Sequence, residues 1–179
     1  MKMNNYWQNF YKKEKVYPPT DFAKSFTEKF NLSLIELGCG NGRDSHYLAN
    51  IFKSVIACDY ACWPIGYKNL TFIKEDLSQT LKRKCPDVVY SRFFLHCLTN
   101  DEIVKILKWT KCFFVAEFRI KGDKPKLYKH KRNLIDPSWI IKKLSDFGFE
   151  YNITVSRGLA KFKTEDPLIM RVYAEKIKK

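Results

Sequence analysis

The stretch Glu36-Leu37-Gly38-Cys39-Gly40-Asn41-Gly42-Arg43-Asp44 sets three glycines at alternate positions between an apolar run and a helical stretch. Glycine reaches positive φ without a Cβ penalty and lets a ligand approach the backbone closely. The start of the following helix offers free N–H groups. A dinucleotide fingerprint would need its third glycine at position 43, where Arg43 stands. Asp59 ends the next apolar run, where a carboxylate can accept both ribose hydroxyls of an adenosine ligand. Asp76 follows the run after that and can accept from the adenine amino group, while the Leu77 N–H can face the ring. Three features in order at three successive strand ends point to an adenosine site.

A second set of residues falls later in the chain. Arg92 and His96 follow one apolar run, Glu117 and Arg119 end the next, and His130 and Arg132 lie in the loop beyond. In open α/β sheets ligands meet the carboxyl ends of the strands. His96 titrates near neutrality and can act as a base, or it can be a helix-face histidine with a structural hydrogen bond. Three arginines and two histidines together suit an anionic ligand, because guanidinium groups grip phosphate or carboxylate bidentately. Glu117 reads best as orienting one of these arginines. The plainer reading of Arg119 and Arg132 is a solvated loop face, and of Arg43 a helix-surface charge.

Short β-branched or aromatic runs alternate with helical stretches, the pattern of a mostly parallel sheet with covering helices. Strands are expected over 33–37, 54–59, 70–74, 86–91 and 112–118, with helices over 43–52, 101–108 and 137–147. Thr99 or Asn100 can cap the second helix, and Asp136-Pro137 opens the third. The runs 149–156 and 168–175 can pair as an antiparallel edge. The fold class expected is α/β: a Rossmann-like open sheet, mostly parallel with an antiparallel C-terminal edge strand and helices on both faces.

Glu-x-Gly-x-Gly-x-Gly, an acid ending the second strand, an acid after the third and Pro86-Asp87-Val88-Val89-Tyr90 in the fourth resemble class I S-adenosylmethionine-dependent methyltransferases. The resemblance covers nearly the whole chain. Tyr90-Ser91-Arg92-Phe93-Phe94-Leu95-His96, Glu117-Phe118-Arg119, His130-Lys131-Arg132 and Gly158-Leu159-Ala160 with Glu165-Asp166-Pro167 are similar to small methyltransferases of surface-polysaccharide (capsule) clusters. The resemblance implies S-adenosylmethionine as cofactor and S-adenosylhomocysteine as product. Candidate donor contacts are Tyr11, Glu36, Gly38, Cys39, Gly40, Gly42, Arg43, Asp59, Tyr60, Asp76, Leu77 and Ser91. Residues 1–30 would form a lid in which Tyr11 faces the sulfonium, although Tyr6, Trp7 and Phe22 can equally be core packing. Between Asp59 and Leu70 the family's usual helix is interrupted by Pro64 and Gly66, leaving Cys62, Trp63 and Ile65 as candidate adenine-pocket walls.

The implied chemistry is O-methylation of a small anionic acceptor: a sugar, a sugar phosphate or a phosphorylated or phosphoramidate intermediate of surface-polysaccharide biosynthesis. Arg92, His96, Glu117 and Arg119 are the candidate catalytic residues, and Arg92, His96, Arg119, His130 and Arg132 the candidate acceptor contacts. Two alternatives stand beside it: an RNA or DNA methyltransferase, and a donor-binding partner subunit without catalysis. The net charge of +14 invites a nucleic-acid partner. It comes mostly from lysines spread along the chain; the arginines are 43, 83, 92, 119, 132, 157 and 171.

With 179 residues, 45% hydrophobic, the expectation is one methyltransferase domain, a 1–30 lid on a 31–179 core, as monomer or dimer. No apolar run reaches the roughly 20 residues that cross a bilayer, and no signal-peptide pattern is seen. A cytoplasmic protein follows, with its six cysteines as free thiols and no metal demanded.

Overall fold

The computed structural model describes residues 3–13, 17–61, 69–123, 132–161 and 164–177. The chain divides into two compact units, residues 1–90 and 91–179. Strands β1 (Phe30–Leu37), β2 (Phe52–Asp59), β3 (Leu70–Lys74), β4 (Val88–Arg92), β5 (Phe113–Arg119), β6 (Phe149–Ser156) and β7 (Ile169–Lys176) form one mixed, mostly parallel sheet. The strand order is β3-β2-β1-β4-β5-β7-β6.

In the first unit β1 and β2 run parallel, from Leu34 opposite Val55 to Leu37 opposite Cys58. Strands β2 and β3 run parallel from Val55–Leu70 to Asp59–Lys74. Residues 34–37 of β1 are buried in succession, as expected for a strand covered on both faces. Helices α1 (Met3–Lys13), α2 (Asp21–Lys24), α3 (Arg43–Leu48) and α4 (Leu77–Thr80) complete the unit.

Helix α3 stops at Leu48 although its pattern runs on to Phe52. Tertiary packing decides this boundary. Phe52 is 3% exposed and stacks on Phe30, with ring centroids 5.2 Å apart, while Phe26 meets it edge-on at 5.3 Å. Burying such a side chain is worth about 1.5–3 kcal/mol, more than one residue's helix propensity. Helix α4 escapes the periodicity altogether. It forms because Asp76 caps it and Gln79 completes a capping box.

The second unit holds a 3₁₀ turn (Leu95–Cys97), α5 (Asn100–Trp109) and α6 (Pro137–Asp146). Thr99 caps α5 with a Glu102 capping box. Asp136 caps α6, with Pro137 in the first turn. Ile103, Ile106 and Leu107 bury one face of α5. The C-terminal strand β7 is antiparallel to β5 and to β6, so it lies inside the sheet and β6 takes the edge. Among the described residues no helix is long and apolar enough to cross a membrane.

Candidate functional site

The glycine turn follows β1. Gly38, Gly40 and Gly42 have φ of 75°, 57° and 78°, the left-handed region that other residues avoid. Backbone bonds lace the turn to β2: Gly38 and Cys39 both donate to the Cys58 carbonyl, at 2.8 and 3.2 Å. The Asp59 carboxylate accepts the Gly40 N–H at 2.8 Å with one oxygen and the Ala61 N–H at 2.7 Å with the other. Burial pushes the Asp59 carboxyl above the ordinary carboxylate range, against the pull of those two N–H groups. Each oxygen keeps a further lone pair for a hydroxyl donor.

The bare Cα of Gly40 faces Tyr11 of α1: a Cβ built there would lie 2.5 Å from the Tyr11 Cζ. Tyr11 packs in turn with Trp7, stacked at 5.9 Å, and Phe10, edge-on at 5.2 Å. A Cβ on Gly42 would meet the Phe72 ring, also at 2.5 Å. Missing side chains thus make room for an aromatic ring at each of these two positions. Phe22, by contrast, is a core residue, fully buried and stacked on Tyr90 at 5.3 Å.

The remaining donor candidates have varied surroundings. Glu36 is buried and its Oε2 accepts from the Ser45 hydroxyl at 2.5 Å. Asp76 is exposed, and its Oδ1 accepts from Ser78 Oγ at 2.6 Å and from the Gln79 N–H at 3.0 Å, which holds its carboxyl below the usual range. Leu77 opens α4 behind it. Tyr60 is 43% exposed, whereas Cys39 and Ser91 are buried. Arg43 Nε lies 3.8 Å from Asp44. Cys62, Trp63 and Ile65 lie outside the described residues.

In the second unit Glu117, 1% exposed, joins two arginines. Its Oε1 accepts from Arg92 Nε at 2.9 Å and its Oε2 from Arg171 Nε at 2.7 Å. Glu117 faces Arg171 directly in the β5–β7 register. Arg119 has a different environment from the one expected. It is buried, with Nη1 on Asp123 at 3.0 Å and Nη2 on Glu165. Two carboxylates neutralise it in place, which corrects its reading as a solvated loop charge. Asp123 also accepts from the Leu168 N–H at 3.0 Å and pairs with Arg157 at 3.4 Å. His96 is buried, edge-on to Phe93 at 5.7 Å, and its carbonyl accepts the Asn133 N–H at 2.7 Å. Arg132 is half-buried, and His130 lies outside the described residues.

Sequence reasoning missed several residues that organise these sites. Asp44 is buried and accepts from the Thr20 N–H and hydroxyl, both at 2.9 Å, and from the Tyr90 hydroxyl at 3.0 Å. Its place directly after the glycine turn was the available signal. Arg171 and Asp123 could be found only with the β5–β7 register and the loop path in hand. Phe93 gave no signal at all. Among the described residues no group of three His, Cys, Asp or Glu side chains gathers as a metal-ligand set.

Comparison with known proteins gives similarities of segment and of fold. Residues 35–109 match a family described as a methyltransferase domain. No curated protein matches the chain. Among solved structures, the SAM-dependent methyltransferase from Methanosarcina mazei superposes with a TM-score of 0.67 at 15% identity, over 91% of this chain and all of its own. Magnesium protoporphyrin IX methyltransferase from Synechocystis PCC 6803, with bound SAH, gives 0.63 at 16% identity, over 97% of this chain and 83% of its own. TehB from Haemophilus influenzae gives 0.63 at 17% identity over 88% of this chain, which spans only 60% of the TehB chain. Residues 35–109 are thus similar to a methyltransferase domain, and the fold is that of solved S-adenosylmethionine-dependent methyltransferases.

The described donor-side residues fit that cofactor. Glycine at 40 and 42 lets the Tyr11 and Phe72 rings close on the backbone of the turn, and Asp59 is a fixed, largely dehydrated acceptor for vicinal hydroxyls.

Proposed function

We propose that the protein O-methylates a small anionic acceptor, a sugar or sugar phosphate of surface-polysaccharide assembly, in the cytoplasm, as a monomer or dimer. Bound S-adenosylmethionine supplies an electrophilic methyl group. Asp59 would hold its ribose, the turn at 38–42 its amino-acid end, Asp76 and Leu77 its adenine, and Tyr11 its sulfonium face. Displacement needs the acceptor oxygen placed in line and water kept out, so the chain's work is positioning.

Arg92 is the observation that carries the anionic reading. Its Nε is anchored on buried Glu117, and its two terminal nitrogens make no hydrogen bond among the described residues. With Arg171 on the same carboxylate, the trio keeps a net positive charge. The Arg119 cluster is balanced by Asp123 and Glu165 and is assigned a structural role. His96, buried against Phe93, is read as positioning and not as the base.

The test is methyl transfer from labelled S-adenosylmethionine to a panel of neutral sugars, sugar phosphates and tRNA. Turnover of an anionic sugar, lost in Arg92→Ala, is the expected result. Transfer confined to tRNA and abolished steeply by salt would replace this reading with a nucleic-acid one.

A further inference from the structure

Phe93 has a φ of 53°, and no other non-glycine residue among those described has a positive φ. A bulky aromatic residue is disfavoured in that region, and such strain persists only where the surroundings enforce it. Here they do. The Phe93 N–H donates to the Glu117 carbonyl at 2.7 Å, which turns the chain sharply as β4 ends. The turn carries the ring beneath two guanidinium groups: Arg92 Cζ lies 4.4 Å from its centroid and Arg119 Cζ 5.7 Å. The His96 ring meets it edge-on.

One residue, Glu117, is therefore engaged twice. Its backbone holds Phe93 and its side chain holds Arg92. The Arg92 guanidinium is fixed at its Nε edge by a carboxylate and on one face by an aromatic ring. Those two contacts restrain the group, and its two terminal nitrogens make no hydrogen bond among the described residues. A guanidinium so restrained is suited to bidentate binding of phosphate or carboxylate, because less rotational freedom remains to be lost.

We propose that Phe93 is a specificity-determining positioning residue: its strained backbone holds an aromatic face under Arg92, so that the guanidinium presents both terminal nitrogens to a phosphate- or carboxylate-bearing acceptor. The inference rests on the anionic-acceptor reading above. The strain is the counterpart of ring placement, since a relaxed φ would swing the ring out from under Arg92.

The experiment is a calorimetric titration of inorganic phosphate into the full chain saturated with S-adenosylhomocysteine, for wild type, Arg92→Lys, Phe93→Asn and Phe93→Tyr. Asparagine tolerates the left-handed region and removes the ring; tyrosine keeps it. Phosphate binding is expected to weaken about tenfold or more in Arg92→Lys and about five- to tenfold in Phe93→Asn. It should return to within about twofold of wild type in Phe93→Tyr, with S-adenosylhomocysteine affinity unchanged throughout. Should Phe93→Asn lose the nucleoside as well, Phe93→Leu replaces it, keeping an apolar filler without a π face. Phosphate binding that survives loss of the ring but falls in Arg92→Lys would overturn the role of Phe93 and leave the anionic reading intact. Absence of phosphate binding in wild type, or indifference to Arg92→Lys, would overturn that reading and the inference with it.

Discussion

The Asp59 carboxylate holds the Gly40 N–H at 2.8 Å, which ties the end of β2 to the turn after β1. The acid that would receive the ribose is also the residue that shapes the loop beside it. Asp59→Asn keeps the volume but turns one oxygen into an N–H donor facing a backbone N–H. S-adenosylhomocysteine affinity should fall at least about tenfold, a loss of roughly 1.4 kcal/mol by calorimetry.

The same carboxylate gives binding a pH dependence. Burial raises the Asp59 pKa in the free protein, so near that value the group is partly protonated. Ribose hydroxyls donate to the ionised form and would lower the pKa in the complex. Affinity should therefore be full above the raised value and decline as pH falls through it. An affinity flat from pH 7 down to the acid limit of folding would contradict ribose binding by Asp59. For folding the sign is opposite. A raised native pKa means the native state binds more protons, so this group's contribution to stability decreases as pH rises from the unfolded value to the native one.

Gly40→Ala places a methyl against the Tyr11 ring and a Cβ at a φ of 57°. The ring must leave, and the backbone strain adds about 1–2 kcal/mol. The prediction is a double-mutant cycle with positive coupling: Tyr11→Ala combined with Gly40→Ala should be less destabilised than the two single losses summed. Urea unfolding midpoints measure it, and strict additivity would show that Tyr11 does not rest on Gly40.

Glu117→Gln leaves two arginines facing one neutral amide in a buried place. Breaking a buried ion pair from one side is worth about 3–5 kcal/mol, so Tm should drop by roughly 6–20 °C for a chain of this size. Scanning calorimetry checks this, and a shift under about 2 °C would mean the trio contributes little.

Cys58 lies within 3.5 Å of the Glu75 Oε1, and burial, then the Glu75 charge, pushes its thiol up to about 12. At pH 8 only about one molecule in ten thousand would carry the thiolate that reacts. Peptide mapping after iodoacetamide treatment of the folded protein should find Cys58 unmodified, and rapid labelling there would refute the buried geometry.

The sequence made local features legible where one residue type answers one backbone need. The glycines at 38, 40 and 42 all have positive φ, the 70–74 and 149–156 strands stand where their β-branched runs lie, and Asp136-Pro137 opens α6. Failures share a cause in distance. Helix α3 ends early because Phe52 packs on Phe30, and Arg119 is buried because Asp123 and Glu165 reach it from the loops beyond β5 and β6. The Glu117–Arg171 pair depends on a β5–β7 register across 54 residues, which no local pattern encodes. Phe93 conflicts with its own local preference, and such conflicts are visible only in three dimensions.

Asp44 joins Thr20 to Tyr90 inside the first unit. The piece before β1 is accordingly no detachable arm. Trimming the chain beyond Pro19 would strip two of the three donors from a sequestered carboxylate, so the smallest version able to fold must begin upstream of Thr20, whatever use the earlier helix serves.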